Sequence, residues 1–492
     1  MAGGTWKATK QDYLEALQDQ NPWAKLGAVP AALAKAVQRP LAVELWRTMI
    51  REPYRYQVVL GPRRVGKTVA LYQSIQNLMT HGVPASRLWF LRLDHPLLMH
   101  YELGGWVKSL IRNFGVPNEP LFLFLDEVNY SKNWDKWLKT FFDEQWPVRV
   151  IATSSSTAAL QNRTVESGIG RWSEQFLTPY TFSEFLSLRG EHPPTPPAQP
   201  DFLQTLFATI EARDQSSLRD KILDLFLLVG GFPELLDALK ATNRNDMQEA
   251  MFRSQQVLRS EAVQRVAGMD IPQAFDIKNP LILERLLYVL AGQMCGLINI
   301  STLAADLELS RATIHQYINY LEQAYLIFVL PNYSKREDNV QKQGRKVYFV
   351  DGAVRNAALQ RGVSPMDDPG ESGYLLENAV ASHLYSLALQ SGGRLYHWRN
   401  RQEEVDFVYD EGGQPLAFEV AKRPGHHLRG LRALQARYPE LHNRCFLVTS
   451  ESVVFAAPTE DPDGVGRIPL AAFLLAVGVQ TKVALTRRLG LT

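Results

Sequence analysis

Two patterns of hydrophobic and polar positions follow one another along the chain, and each predicts a different kind of element. Residues 11–50 carry apolar side chains at helical spacing, which predicts a helical leader. The apolar runs "YQVVL", "LWFLRLD", "LFLFLDEV" and "VRVIATSSS" come next, with helical stretches between them. Short buried strands that alternate with helices are typical of a parallel sheet, so this segment predicts an α/β core.

Beyond the core, the pattern changes at a proline-rich stretch. "EHPPTPPAQPD", residues 191–201, predicts an exposed loop or linker. Residues 202–290 are almost continuously helical in periodicity, interrupted by "VGGFPE". This long helical segment predicts a lid over the core.

The loop after the first predicted strand carries the strongest motif. "GPRRVGKT" matches G-x-x-x-x-G-K-[ST] and stands between a strand pattern and a helix pattern. In such a loop backbone N–H groups surround phosphates, the lysine reaches the β- and γ-phosphates, and the final hydroxyl ligates Mg²⁺. The sequence therefore predicts that ATP and Mg²⁺ bind at Gly61, Pro62, Arg63, Arg64, Val65, Gly66, Lys67 and Thr68.

Two further strand ends supply candidate catalytic groups. "LFLFLDEV" ends in Asp126, expected to hold Mg²⁺, and Glu127, expected to orient the attacking water. "VRVIATSSS" ends in hydroxyl residues, and Ser154 or Ser155 is the candidate sensor of the γ-phosphate. The alternative for these serines is an ordinary loop start or helix cap.

Arg171, in "GIGRWSEQF", has two interpretations. It is a candidate arginine finger that acts across a subunit boundary, which would imply a homo-oligomer. The alternative is a structural ion pair.

A second region predicts a winged helix-turn-helix. From "ISTLAADLELSRATIHQYINYLEQ" onward the pattern reads helix, tight turn, helix, then two strands around a polar loop. The second helix buries one stripe and turns polar residues outward, as in a helix that enters the major groove of DNA; the alternative is a winged helix used for protein packing. The candidate DNA contacts are Arg311, His315, Gln316 and Asn319 on the helix, and Lys335, Arg336, Lys342, Arg345 and Lys346 in the loop, with Tyr333.

Composition narrows the remaining classes. With 492 residues, of which 46% are hydrophobic and 21% charged, the chain is expected to form several globular domains. The formal net charge of +2 permits nucleic-acid binding without requiring it. Two cysteines without metal-ligand spacing indicate neither a disulfide framework nor a zinc site. The longest apolar run, "IPLAAFLLAVGV", is shorter than a membrane span, so a cytoplasmic protein without a membrane partner is expected.

Motifs spread over most of the chain resemble a bacterial and archaeal family of AAA+ ATPases with a winged helix and a C-terminal domain of unknown function related to PD-(D/E)xK nucleases. The supporting stretches, within residues 45–450, are "GPRRVGKT", "FLDEVNYSKNWDKWLK", "TPYTFSEFL", "GGFPE", "KVYFVDGAVRNAAL", "GYLLENAVASHLY", "YHWRNRQEEVDFVYD" and "AFEVAK". The resemblance implies acidic nuclease-type positions at Glu377, Asp406 and Glu419, which would form a second metal site.

One departure from that resemblance concerns the lysine. Nucleases of this type carry Glu-x-Lys on one strand, whereas "FEVAKRPG" has Glu419 and Lys422 in a Glu-x-x-Lys order. Alternation on a strand directs Lys422 away from the face of Glu419. We therefore expect a nuclease-like domain that does not cleave DNA.

Together these patterns predict an α/β protein whose P-loop AAA+ core is joined to a winged helix and a restriction-endonuclease-like domain. Its expected function is ATP-driven binding of duplex, branched or forked DNA in repair, replication or recombination, as a homo-oligomer such as a hexamer. An ATP-regulated Mg²⁺-dependent nuclease in defence, and a signalling ATPase that binds a partner protein, are the alternatives. The predicted segments are the leader at 1–45, the ATPase core at 46–190, the proline-rich loop and lid at 191–285, the winged helix at 286–352 and the nuclease-like domain at 353–492.

Overall fold

The structure is a computed structural model of the 492-residue chain. It describes residues 9–155, 170–191, 193–197, 201–211, 221–240, 243–275, 277–337, 340, 344–450 and 455–490. The described residues divide into two compact units: those that fall within 1–61 and 66–177, and those that fall within 62–65 and 178–490. Lys342 lies outside the described residues.

The first unit is built on a parallel sheet. Its five strands lie in the order β2-β3-β4-β1-β5, and every neighbouring pair is parallel. Apolar runs form its centre because both faces are covered: β1 and β3 are buried along their whole length. The strands are β1 Tyr56–Leu60, β2 Leu88–Arg92, β3 Leu121–Asp126, β4 Val148–Ser154 and β5 Trp172–Phe176.

Helices connect these strands, and the leader packs onto the same unit. The Asn21 amide exchanges hydrogen bonds with the backbone of Phe90 on β2, at 2.6 and 2.9 Å. The helices are Lys10–Gln20, Trp23–Leu26, Ala31–Ala34, Pro40–Thr48, Lys67–Thr80, Leu103–Phe114 and Trp134–Asp143, with 3₁₀ turns at Ala85–Arg87, Leu98–His100 and Val128–Tyr130.

The second unit begins with a run of helices and continues into a small sheet. Strands β6 Ile327–Leu330 and β7 Lys346–Phe349 pair antiparallel after two helices joined by a short turn. Its helices as far as β7 are Phe182–Leu188, Phe202–Glu211, Lys221–Val229, the 3₁₀ segment Pro233–Lys240, Arg244–Leu258, the π-helical segments Arg259–Gln264 and Val266–Asp270, then Ile271–Phe275, Pro280–Gly292, Ile300–Asp306 and Arg311–Gln323.

A mixed sheet ends the chain. Its strands lie in the order β12-β11-β10-β9-β8, with β10, β11 and β12 parallel and β8 and β9 antiparallel to their neighbours. These strands are β8 Arg394–Arg399, β9 Glu404–Glu411, β10 Gln414–Ala421, β11 Cys445–Thr449 and β12 Val465–Pro469. The remaining helices are Gly352–Leu359, Pro369–Ser391, Arg429–Arg437 and Leu470–Arg488, with 3₁₀ turns at Ser364–Met366, Pro439–Leu441 and Pro458–Glu460.

The helix Leu470–Arg488 is longer than the apolar run in the sequence suggests. Among the described residues it alone has the length and composition of a membrane span, and 67% of its most apolar window is buried inside the structure. Its Gln480 accepts a hydrogen bond from the Thr205 hydroxyl of the helix Phe202–Glu211, at 2.7 Å. A helix covered in this way has the environment of a core helix.

Candidate nucleotide-binding site and acidic cluster

The predicted phosphate loop lies between β1 and the helix Lys67–Thr80. Gly66, directly before the helix, has a φ of 97°, which residues with a side chain rarely adopt, so this position requires glycine. The buried Lys67 ammonium donates a hydrogen bond to the carbonyl oxygen of Gly61, at 3.0 Å. The lysine is thereby held at the helix N-terminus, where backbone N–H groups and the helix dipole favour an anion.

Asp126, at the end of β3, accepts hydrogen bonds on both of its carboxylate oxygens. Thr68 donates to Oδ2 at 2.8 Å, and Thr153, on the neighbouring strand β4, donates to Oδ1 at 2.6 Å. Parallel strands bring their carboxyl ends to one edge of the sheet, and this is why residues far apart in sequence meet here. A hydroxyl and a carboxylate side by side match the oxygen ligands that Mg²⁺ takes from a P-loop protein, so Thr68 and Asp126 fit the ion.

Burial, followed by the charge of the neighbouring Glu127, raises the pKa of Asp126 to about 6. The hydrogen bonds from Thr153 and Thr68 and the charge of Lys67 oppose this shift. A cation near Asp126 would be favourable, because it stabilises the ionised form of this buried carboxyl group.

Glu127 is held in an unusual backbone conformation. Its φ and ψ of 52° and 55° lie in the left-handed region, which costs a non-glycine residue about 1 kcal/mol. Its backbone N–H donates to Thr153 at 3.0 Å, and Ser155 donates to its carboxylate, also at 3.0 Å. Thr153 thus holds the Glu127 backbone and Ser155 holds its carboxylate, just beyond the end of β3.

The two candidate sensor serines differ in their contacts. The Ser154 hydroxyl donates to the side-chain oxygen of Asn129 at 3.3 Å, whereas Ser155 contacts Glu127. The structure therefore brings Ser155, rather than Ser154, to the predicted catalytic carboxylate.

Two arginines of the loop make ion pairs within the second compact unit, which includes residues 62–65. Arg63 forms a two-pronged pair with Asp270, with one N–O distance of 3.0 Å. Arg64 lies 3.5 Å from a carboxylate oxygen of Glu234 and 3.5 Å from one of Glu261.

Arg171 forms an ion pair inside the first unit. Its guanidinium contacts both carboxylate oxygens of Asp143, at 2.7 and 3.0 Å. The hydrogen bonds from Arg171 lower the pKa of Asp143. The observed geometry is that of the structural ion pair, the second of the two interpretations. A role as an arginine finger would require this pair to break.

The helix Arg311–Gln323 has the expected two faces. Ile314, Ile318 and Leu321 are buried on one side. The four candidate DNA contacts of this helix are exposed: Arg311, His315, Gln316 and Asn319.

The loop residues of the predicted wing divide into two groups. Lys335, Arg336 and Arg345 are exposed, and Lys335 lies 2.7 Å from a carboxylate oxygen of Glu440. Tyr333 and Lys346 are buried. The prediction that these two residues face DNA is therefore wrong: Tyr333 packs against Tyr396 and Tyr438, and Lys346 enters an acidic cluster.

The acidic cluster surrounds the Lys346 ammonium, which comes from β7 and whose side chain is only 5% exposed. Its nitrogen lies 3.4 Å from oxygens of Glu377 and Asp406 and closer still to Glu404. Tyr348, on the same face of β7, donates to Glu377 at 2.8 Å. Burial lowers the Lys346 pKa, but the three carboxylates outweigh burial and raise it above its ordinary value.

Glu419 stands beside this group on β10. One of its oxygens lies 3.3 Å from His426 Nε2, and the other is buried without a hydrogen-bond partner. Burial, followed by the Asp406 charge, raises the pKa of Glu419 to about 9 and that of Glu377 to about 8. Within the described residues no group of three or more His, Cys, Asp or Glu was found that could hold a metal ion, and the second metal site expected at Glu377, Asp406 and Glu419 stays a prediction.

The lysine of the Glu-x-x-Lys order lies outside the cluster. Strand β10 ends at Ala421, and Lys422 follows it as an exposed residue. The cation in the cluster is instead Lys346, which lies on β7 and precedes Glu419 in the chain.

A parallel sheet of this strand order, with Lys67, Thr68, Asp126 and Glu127 at one edge, is typical of the P-loop domains of AAA ATPases. Comparison with known families agrees for this segment: residues 54–186 match the family described as "AAA domain". Residues 220–364 and 372–470 match two families described as "Domain of unknown function", DUF8612 and DUF4143.

Two relatives that match about three quarters of the chain carry the name "uncharacterized protein". The chain is 26% identical to an uncharacterized protein of Methanocaldococcus jannaschii over 390 residues, which cover 77% of this chain and 76% of the relative. An uncharacterized protein of Haemophilus influenzae is 22% identical over 380 residues, covering 74% and 82% of the two chains.

Similar solved structures include the Orc1 protein of Aeropyrum pernix in complex with DNA, at 15% identity and a TM-score of 0.31, covering 70% of this chain and 98% of that one. The RuvB Holliday junction branch migration motor of Thermotoga maritima is similar at 14% identity and a TM-score of 0.27, covering 65% and 89%.

The structure adds two residues that the motifs did not indicate, Thr153 and Glu404, and gives Lys346 contacts other than the predicted ones with DNA. Thr153 forms hydrogen bonds with both Asp126 and Glu127, whereas the sequence predicted a role for the serines that follow it. Glu404 and Lys346 join the acidic cluster. Strand alternation alone places Lys346 on one face with Tyr348, and this was the available signal.

Proposed function

We propose that the chain is an ATP-hydrolysing, Mg²⁺-dependent AAA+ protein that acts on DNA. The observation that carries the ATPase part is the contact of Thr68 with Asp126 at 2.8 Å, beside Glu127 at the same edge of the sheet. That arrangement combines a cation site, a buried ammonium and a separate carboxylate, which are the groups that phosphoryl transfer to water requires.

In this proposal each group has one task. Lys67 compensates the negative charge on the β- and γ-phosphates, and Thr68 and Asp126 hold Mg²⁺. The bound ion would supply further neutralisation of charge on the transferred phosphoryl group. Glu127, oriented by Ser155 and Thr153, accepts a hydrogen bond from the attacking water and aligns it.

The DNA part of the proposal rests on the helix Arg311–Gln323. Its exposed face carries a cation, an imidazole and two amides, which are groups able to contact phosphates and base edges. Lys335, Arg336 and Arg345 would add phosphate contacts. We further propose a cytoplasmic homo-oligomer, such as a hexamer, that binds duplex, branched or forked DNA, and a C-terminal domain that does not cleave it.

ATPase assays on two variants test the proposal. Lys67→Ala is expected to lower turnover by about a hundredfold or more, because a preorganised charge is lost from the transition state. Glu127→Gln is expected to bind ATP without cleaving it. Lys139→Ala, an exposed lysine of the same unit, serves as the matched control and should keep its activity. Wild-type turnover in Lys67→Ala or Glu127→Gln would refute the proposal.

A further inference from the structure

The acidic cluster combines carboxylates from different elements around a single ammonium. Glu377 belongs to the helix Pro369–Ser391, Glu404 and Asp406 to β9, and Lys346 to β7. An ammonium has three N–H donors, and here three carboxylates lie within reach of them. The donors of Lys346 are therefore fully used inside the protein.

The carboxylates are also engaged by other donors. The second oxygen of Asp406 accepts the backbone N–H of Val420 at 2.9 Å, and the second oxygen of Glu404 lies 3.4 Å from Arg399. The Glu377 oxygen that faces Lys346 also accepts from Tyr348. Each of the three carboxylates that surround Lys346 therefore has at least one oxygen that is also engaged by another donor inside the protein.

Metal–oxygen distances and electrostatic repulsion both disfavour a metal ion beside the Lys346 ammonium. A divalent cation such as Mg²⁺ binds oxygens at about 2.1 Å, so an ion bound jointly by Glu377, Glu404 and Asp406 would compete for the place of the Lys346 ammonium. Two positive ions so close together in a buried place repel one another strongly.

We propose that the Lys346 ammonium takes the place of a metal ion in this cluster, so that the nuclease-like domain is closed to divalent cations by a residue from β7. The cation also ties β7 to β9 and to the helix Pro369–Ser391. The inference rests on the proposed non-cleaving role of this domain and is independent of ATP hydrolysis.

Titration with Mn²⁺ tests the inference, by calorimetry and by electron paramagnetic resonance of the free ion. All proteins carry Asp126→Asn, so that the nucleotide site does not contribute. Lys346→Met, which keeps the length of the side chain without its charge, is expected to gain one Mn²⁺ site, with affinity about tenfold or more above that of the parent. Adding Asp406→Asn should remove the gained site. Lys422→Met, at the exposed lysine, is the matched control and should gain nothing.

Two results would overturn the inference. One is Mn²⁺ binding by the parent protein that is lost in Asp406→Asn, because the cluster would then bind a metal ion while Lys346 is present. This measurement does not depend on whether the Lys346 variant folds. The other is a Lys346→Met protein with a native circular dichroism spectrum and no gained site. Mn²⁺-dependent DNA cleavage lost in Asp406→Asn would refute the non-cleaving role as well, whereas Mn²⁺ binding without cleavage would refute the Lys346 inference alone.

Discussion

Thr153 links the two acids of the nucleotide site through one hydroxyl group. Its Oγ1 donates to Asp126 at 2.6 Å and accepts from the backbone N–H of Glu127 at 3.0 Å. The residue is completely buried, so water cannot replace either partner. A single side chain thus controls the position of both the cation-binding carboxylate and the candidate catalytic carboxylate.

We expect Thr153→Val, which preserves shape but removes the hydroxyl, to lower the ATPase kcat by about tenfold, because Glu127 loses its backbone anchor. The free energy of unfolding should fall by about 1–3 kcal/mol, since a buried N–H loses its acceptor. Steady-state ATP hydrolysis and urea denaturation measure the two effects.

Ser154→Ala is the control for this prediction, because Ser154 is equally buried on the same strand but contacts Asn129 instead. Its kcat should stay near that of the wild type. Equal losses of activity in both variants would mean that the strand end, rather than the Thr153 hydroxyl, sets the rate.

At the scale of elements, the described residues of the helix Arg311–Gln323 and of the loop before β7 include exposed cations. The helix buries its apolar stripe, and Lys346, at the start of β7, points into the acidic cluster. Lys335, Arg336 and Arg345 are exposed, and the proposed phosphate contacts of the loop rest on these three cations.

Replacing Lys335, Arg336 and Arg345 by Ala should weaken DNA binding and flatten its dependence on salt. Each phosphate contact that is lost should reduce the slope of log K against log salt concentration by about 0.9, because fewer counterions are released on binding. Fluorescence anisotropy with duplex and forked DNA at several salt concentrations measures the slope.

The matched control replaces three exposed cations of the first unit, Lys25, Arg112 and Lys139, by Ala. The net charge changes by the same amount, so an unchanged slope in this control assigns the effect to position. Identical slopes for the wild type and the loop variant would place the DNA surface elsewhere, or favour a packing role for the wing.

At the scale of the whole molecule, one buried histidine ties separate parts of the second unit together. His383 Nε2 accepts the backbone N–H of Phe182 at 2.8 Å, and its Nδ1 lies 2.7 Å from the carbonyl oxygen of Ala379. A neutral ring satisfies both contacts, whereas a protonated ring would set an N–H against the N–H of Phe182. Burial lowers the pKa of His383 to about 4.

This pKa predicts loss of stability in acid. Between pH 6.5 and about 4 the unfolded chain binds a proton that the folded chain excludes, so the free energy of unfolding falls as the pH falls. Near pH 4 the free energy of unfolding should be about 3 kcal/mol lower than above pH 6.5 because of His383. Urea denaturation of the second unit, followed at several pH values, measures it.

In His383→Gln this part of the pH dependence should disappear, while His315→Gln, at an exposed histidine, should keep it. If the wild type and His383→Gln lose stability in parallel between pH 6.5 and 4, the ring is not the group responsible.

The sequence by itself determined the position of the candidate nucleotide site, because the chemistry predicted for that site depends on local order. A glycine loop must follow a strand and precede a helix, and Asp126 and Glu127 must end another buried strand, so spacing and periodicity were sufficient to find them. Alternation along β10 likewise separated Lys422 from Glu419, and the structure places Lys422 beyond the strand end.

Only the tertiary structure decided which side chains meet across elements. The basic sequence around Lys346 predicted a solvated wing, but the packing of β7 beside β9 brings its ammonium among Glu377, Glu404 and Asp406. Likewise, Arg171 forms an ion pair with Asp143, and Thr153 rather than Ser154 donates a hydrogen bond to Asp126. Such contacts depend on sheet order and strand register, which are set by long-range packing that no local pattern records.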